Sequence, residues 1–205
     1  MSEIILKTVT GNALAQYIDE LARLRIEVFR AFPYLYDGST EYERQYLQTY
    51  LRCPDAAVVL ALDGERVVGA SSCLPLRDED AAFRQPFEEH AEQFGPGFDP
   101  DRLFYCAESV LDARYRGRGI GVGFFEQREA HALQLGGFTH ACFCAVERPE
   151  DHPLRPADYV PLDHFWNKRG YHKLPQIQTR FSWKDINQQH SSEKTMIFWI
   201  KELPA

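Results

Sequence analysis

Apolar residues alternate or cluster in short runs over much of the chain, and in three places they recur at helical spacing instead. Ile4 to Val9 alternates and predicts a first strand. From Asn12 to Arg30, Leu14, Tyr17, Ile18, Leu21, Leu24, Ile26, Val28 and Phe29 fall mostly at helical spacing and predict one helix. An aromatic loop, Phe32-Pro33-Tyr34-Leu35-Tyr36-Asp37-Gly38, ends it, and Ser39 or Thr40 can cap a second helix running to about Leu51. Ala56 to Leu62 and Arg66 to Leu74 are β-rich runs joined by Asp63-Gly64-Glu65, a hairpin signal. Arg77 to Asp101 reads as a helix followed by a loop, and Phe104 to Leu111 as one strand. A helix from about Val122 to Leu135 stops at Gly136-Gly137. Thr139 to Val146 is a strand and Leu162 to Arg169 a short helix, with strands Ile177 to Trp183 and Thr195 to Lys201 closing the chain. The order predicts one mixed sheet with helices on its faces, in a single domain spanning residues 1–205.

Composition narrows the setting. With 205 residues, 44% hydrophobic and 26% charged, the chain can bury a sizeable core. No apolar run approaches the roughly 20 residues that span a bilayer, and the first ten residues lack a signal pattern, so no membrane contact and a cytoplasmic location are expected. The five cysteines contain no C-x-x-C pair and sit mostly in apolar runs, as small core residues do. A net charge of −7 disfavours nucleic acid and suits a cationic partner such as an amine. His152, His164 and His172 lack metal-ligand spacing, so no metal site is expected.

The segment richest in chemistry is Arg116-Gly117-Arg118-Gly119-Ile120-Gly121, between a strand and a helix. Glycines there leave backbone N–H groups open to close approach, and the positive end of the following helix dipole adds to them. The product is a phosphate cradle, pointing to a cofactor that carries pyrophosphate. The dinucleotide pattern G-x-G-x-x-G fails in both frames, at Val122 and at Phe124, and no Gly-Lys-Ser/Thr follows for a nucleotide P-loop.

Arg116-x-x-Gly119-x-Gly121 does match the R/Q-x-x-G-x-G/A signature of the GCN5-related N-acetyltransferase (GNAT) superfamily, with Tyr115 and Gly117 as its commonest flanks. Downstream, Phe165-Trp166-Asn167-Lys168-Arg169-Gly170-Tyr171 resembles the family's second signature, an aromatic pair on a short helix ending in Gly-Phe or Gly-Tyr. The resemblance runs from Phe104 to Tyr171. It implies a mixed, mostly antiparallel central sheet flanked by helices, and transfer of an acetyl group from acetyl-CoA to an amine by direct attack in a ternary complex.

Carried onto this chain, the resemblance places the cofactor's pyrophosphate on Arg116, Gly117, Arg118, Gly119, Ile120, Gly121 and Val122. The main chain of Val110 and Leu111 would hold its pantetheine arm, with Phe165 and Trp166 as further contacts or as core. Glu108, a charge inside an apolar strand, is the first candidate for general base, and Glu147, at the end of the next strand, is the second. Arg30, Tyr34 and Tyr36 would line the acceptor cleft, and the proline-rich connection from Arg148 to Pro161 would wall it. The acceptor would be a small-molecule or peptide amine, and dimers are common in the family, which leaves room for a homodimer. Many members carry a tyrosine where this chain has Trp166, and an indole N–H cannot protonate a departing thiolate. Either Tyr171, Tyr159 or water takes that role, or the thiolate leaves unassisted, or the site is a coenzyme A-binding sensor without transfer chemistry; transfer of another acyl group is a separate alternative.

Overall fold

The computed structural model describes residues 3–204; Met1, Ser2 and Ala205 lie outside the described residues. Strand β1 (Ile4–Thr10) pairs antiparallel with β2 (Ala57–Asp63), and β2 with β3 (Arg66–Pro75) through the predicted Asp63-Gly64-Glu65 turn, where Gly64 has φ +60°. Between β1 and β2, the expected single helix divides into a 3-10 turn (Gly11–Tyr17) and α1 (Ile18–Phe29). The tighter winding brings residues three apart into line, so Leu14 enters the core with Tyr17 packed at its edge. Helix α2 (Thr40–Arg52) follows, capped by Ser39, whose hydroxyl accepts from the Tyr42 amide. After β3 comes α3 (Ala81–Glu89), capped by Asp80, and then two 3-10 turns.

The strand expected from Phe104 to Leu111 is two strands, β4 (Leu103–Tyr105) and β5 (Ser109–Leu111). Both pair with β3, at Leu74↔Tyr105 and at Ser71↔Ser109. The step is three residues on β3 and four on its partner, so one residue is extra. Ser72 absorbs it, accepting from the Ala107 amide (3.0 Å) and donating to the Glu108 carbonyl (3.0 Å). This is a β-bulge, and it turns the strand away from its other neighbour.

That neighbour is β6 (His140–Val146), reached through α4 (Ile120–Leu135). It lies parallel to β4, the one parallel pairing among the described residues, and the last hydrogen bond runs from the Cys106 amide to the Cys142 carbonyl (2.7 Å). Past the bulge, β5 stays with β3 while β6 stays with β8 (Ser192–Glu202), so the sheet forks. The short helix α5 (Asp163–Asn167) precedes β7 (His172–Trp183), which pairs with β8 at the far edge and begins earlier than its apolar run suggests. The order is β1-β2-β3-β4-β6-β8-β7, with β5 beside β3: the mixed, mostly antiparallel sheet expected.

The two faces bury different layers. Val58 and Leu60 of β2 face α1 and α2, whereas Ala57, Val59 and Ala61 face α4. Helices α1, α2 and α3 therefore cover one face, and α4 and α5 the other. No described helix is long and apolar enough to cross a membrane.

The loop between α1 and α2 is fastened to the far edge of the sheet. The Arg148 guanidinium bridges both carboxylate oxygens of Asp185 (2.8 and 3.0 Å) and donates to the Pro33 and Tyr34 carbonyls (2.8 Å each). Lys194 reaches Asp185 at 3.1 Å, and the Trp183 indole donates to the Tyr34 carbonyl at 2.9 Å. Asp185 is 1% exposed, and its carboxyl, although raised by burial, is held below its ordinary range by Arg148 and Lys194. Arg148→Met leaves Asp185 with Lys194 alone and removes the donor to the Pro33 carbonyl, so it should lower stability by about 1–3 kcal/mol. Urea denaturation checks this, and a loss under 1 kcal/mol would mean the staple carries no load.

Candidate active site

The glycine turn is built as its sequence requires. Asp112 caps a 3-10 turn (Ala113–Tyr115) and is clasped by Arg114, whose hydrogen bonds draw its carboxyl down to about 2. Gly117 (φ +74°) and Gly119 (φ +79°) adopt the left-handed conformation that L-residues avoid, and nothing lies within 4 Å of where a side chain would begin. Gly119 caps α4, its carbonyl accepting from the Val122 and Gly123 amides (2.9 and 3.1 Å). The amides of Ile120 and Gly121 have no intrahelical partner and point out of the helix start. Open space, unpaired amides and the flanking Arg116 and Arg118 fit a pyrophosphate.

Phe165 meets this turn: a side chain on Gly121 would lie 3.3 Å from its ring. Trp166, one residue on, instead packs against Phe143 and Trp199 at 5.0 Å, inside the aromatic layer beneath α4 and α5. Tyr171 is fully buried there, its hydroxyl donating to Glu129 at 3.0 Å.

Between the turn and the fork runs β5. The Asp112 amide donates to the Val68 carbonyl (2.9 Å) and the Ser72 amide to the Glu108 carbonyl, so the intervening hydrogen-bonded rung is Ala70↔Val110. Antiparallel strands alternate, so Val110 turns its peptide groups to β3, and Ser109 and Leu111 turn theirs into the gap beside β6. The pair predicted to face the cleft is thus displaced: Leu111 faces it and Val110 does not, its side chain lying in the core beneath α1.

The α1–α3 face opens into a pocket of about 100 Å³ at the same fork. Ala107 and Glu108 from the bulge and Cys144 from β6 form its floor, while Tyr34 and Tyr36 join its wall. Arg30 does not reach it; the side chain is exposed and pairs with Asp37 at 3.4 Å. Glu147 lies beyond the pocket, exposed and paired with Lys173 at 3.3 Å. In the Arg148–Pro161 connection, Tyr159 packs edge-on to Phe32 at 4.6 Å, so it props the aromatic loop from behind and does not line the pocket.

Glu108 anchors a buried polar cluster that sequence reading did not assemble. One oxygen meets Arg25 at 2.5 Å, and the other accepts the Tyr46 and Tyr50 hydroxyls at 3.2 and 3.0 Å. Arg25 also bonds Glu43, and Ser72 donates to Tyr50 at 3.0 Å. Burial and then the Glu108 charge push both phenols well above their ordinary range, so they remain donors. A second acid, Glu79, lies close enough to feel this cluster. Burial and then Glu108 push its carboxyl up to about 7. Arg25 and Glu43 carry a faint sequence signal, since each interrupts an apolar helical stripe (Leu21-Arg25-Phe29 and Glu43-Leu47-Tyr50). Glu79 carries none.

Among the described residues, no group of three or more histidine, cysteine or acidic side chains is placed to hold a metal ion. The family model described as the acetyltransferase (GNAT) family matches residues 18–156. No curated protein matches the chain. Among solved structures, a ribosomal-protein-alanine N-acetyltransferase from Brucella melitensis is 13% identical with a TM-score of 0.60, covering 97% of this chain and 99% of its own. YncA from Salmonella typhimurium, solved with its cofactor acetyl-CoA, is 9% identical with a TM-score of 0.60, covering 100% and 96%. An N-acetyltransferase from Staphylococcus aureus Mu50 is 10% identical with a TM-score of 0.59, covering 99% and 100%. At these identities the likeness establishes the fold.

The displaced Glu79 titration has a stability consequence. An acid raised from 4.5 to about 7 binds its proton more tightly in the folded protein. Its contribution is therefore full below pH 4.5 and is lost as the pH climbs to about 7. Glu79→Gln should raise the Tm at pH 8 relative to the parent and leave it unchanged at pH 4. An equal shift at both would show that the carboxyl titrates normally.

Proposed function

The chain belongs to the acetyltransferase (GNAT) family, and from that premise we propose that it transfers an acetyl group from acetyl-CoA to an amine by direct attack in a ternary complex. The observation that carries this reading is the forked sheet, which has a phosphate cradle at its mouth and a pocket containing a carboxylate at its base. Acetyl-CoA is the family's co-substrate and supplies the activated thioester.

Each part of the site then has a task. The amides from Gly117 to Val122, with Arg116 and Arg118, hold the pyrophosphate, and Phe165 packs behind Gly121. Ser109 and Leu111 pair with the pantetheine arm as a strand would. The Ser109 amide is the donor nearest the bulge and serves the thioester oxygen, where a fixed N–H stabilises the developing oxyanion. The amine enters from the aromatic pocket. As its nitrogen bonds to the acetyl carbon, the C–S bond breaks and coenzyme A leaves as its thiolate, while the amine proton passes to Glu108, directly or by way of the Tyr46 and Tyr50 hydroxyls. Glu147, outside the pocket and paired with Lys173, has no part in this scheme.

A second reading, a coenzyme A-binding sensor, rests on Trp166. Its indole packs in the aromatic layer and leaves no phenol at that position for the thiolate. Calorimetric titration with acetyl-CoA, followed by thiol release with a panel of amines, separates the two. Binding with release supports transfer, and binding without release for any amine supports the sensor. Competition with succinyl-CoA and longer acyl-CoAs reads the acyl preference.

Two substitutions test the assignments. Replacing both Gly119 and Gly121 with valine should abolish acetyl-CoA binding while circular dichroism stays unchanged; undiminished affinity would overturn the cradle. Glu108→Gln should lower kcat by about 100-fold or more with acetyl-CoA affinity unchanged. A kcat within threefold of the parent would remove Glu108 from the reaction.

A further inference from the structure

The lining of the acceptor pocket carries information about what it admits. Most of it is aromatic: Phe29, Tyr34, Phe83, Phe181 and Trp183 form the walls, already packed on one another. Ring centroids lie 4.5 Å apart for Phe29–Tyr34 and 6.0 Å apart for both Tyr34–Trp183 and Phe83–Phe181. The Arg148–Asp185 staple holds Tyr34 and Trp183 in place, so these faces are preformed.

Its charge is equally selective. Arg25 is the sole basic residue in the lining, and Glu43 and Glu108 both engage it. One guanidinium against two carboxylates leaves the end of the pocket at Glu108 negative, whereas Arg148 and Lys194 against Asp185 make the ground behind Trp183 positive. An acceptor bearing its own carboxylate beside its nitrogen would meet the excess at Glu108, and the lining holds no cation besides the engaged Arg25. A polyamine would need a second acidic group along the wall, where Cys144, Phe181, Trp183 and Met196 stand. A peptide would have to desolvate its amides against ring faces, at about 1–3 kcal/mol for each unpaired group. A single ammonium on a flat apolar body has neither problem. Arg148 and Lys194 already stand over the Trp183 ring, at 5.8 and 5.1 Å, so the ammonium belongs with Glu108 while the rings bury the aromatic body.

We infer that the acceptor is a small arylalkyl primary amine, its ring seated among Tyr34, Phe83, Phe181 and Trp183 and its nitrogen directed to Glu108 at the base of the fork. The inference rests on the acetyl-transfer reading for its chemistry, whereas occupancy of the pocket can be measured without turnover. The pocket floor, at Ala107, Glu108 and Cys144, is where β5 and β6 part. A ring held by the walls therefore presents its aminoethyl arm to a thioester arriving through the fork.

The test uses the whole chain loaded with acetyl-CoA. Thiol release is measured with phenethylamine, tryptamine, spermidine, glutamate and a short peptide with a free N-terminus. Calorimetry with N,N-dimethylphenethylamine, which cannot form an amide, reads binding alone. The expected result is kcat/KM at least tenfold higher for phenethylamine or tryptamine than for the other three, with saturable binding of the tertiary amine. Phe181→Leu should raise the KM for the arylalkyl amine about tenfold and leave acetyl-CoA affinity unchanged. Preference for spermidine, glutamate or the peptide overturns the inference and leaves acetyl transfer standing. Binding of the tertiary amine without turnover of any amine overturns acetyl transfer and keeps the pocket's ligand class. Neither binding nor turnover with the arylalkyl amines overturns the inference outright.

Discussion

The hydrogen bond from the Cys106 amide to the Cys142 carbonyl is the last rung between two parallel strands, and the whole site depends on its being the last. The bulge opposite Ser72 turns β5 along β3 while β6 continues along β8. Had the ladder run on, the peptide groups of Ser109 and Leu111 would be satisfied within the sheet. Instead they face a gap, where unpaired backbone groups favour a ligand able to pair as a strand does. A sheet with a parallel neighbour needs a crossover, and here the crossover is α4, whose start is the glycine turn. The same topology thus creates the slot and sets the glycine turn at its mouth.

The fork also separates the two halves of the site by face. The glycine turn, Phe165 and the aromatic layer under α4 and α5 lie on one side of the sheet, and the pocket enclosed by α1, α2 and α3 lies on the other. The gap at the bulge is where the two faces meet, beside Ala107, Glu108 and Cys144. Glu108 stands there because the extra residue gives its side chain to the pocket while its carbonyl stays with Ser72.

Polar groups around that point are costly to bury, and the structure offsets the cost by mutual engagement. Arg25, Glu43, Glu108, Tyr46, Tyr50 and Ser72 form one connected cluster, in which each member satisfies another. A second cluster, Arg148, Asp185 and Lys194, holds the aromatic loop against the far hairpin. The first shapes the chemistry of the pocket, and the second keeps its walls still.

Much of this was legible in the chain itself, wherever the cause is local. Alternation and helical spacing located most of the elements. Arg116 to Gly121 announced the cradle because left-handed glycines and free helix-start amides are properties of consecutive residues. Glu108 stood out as a charge in an apolar run. Local pattern failed where the deciding partner is remote. The break between β4 and β5 depends on Ser72, and the turning of Val110 away from the cleft follows from that register. Trp166 and Phe165 carry similar sequence signals, yet only one meets the turn, because β6 and β8 supply rings for the other. Arg25 and Glu79 owe their roles to neighbours from other elements, and Glu147 and Arg30 owe their exclusion from the pocket to pairing elsewhere. The sequence by itself determined the family, most of the elements and the glycine turn that opens α4, since each is encoded within a few residues. Only the tertiary structure decided which side chains share a pocket, because burial, register and charge pairing arise between segments far apart in the chain.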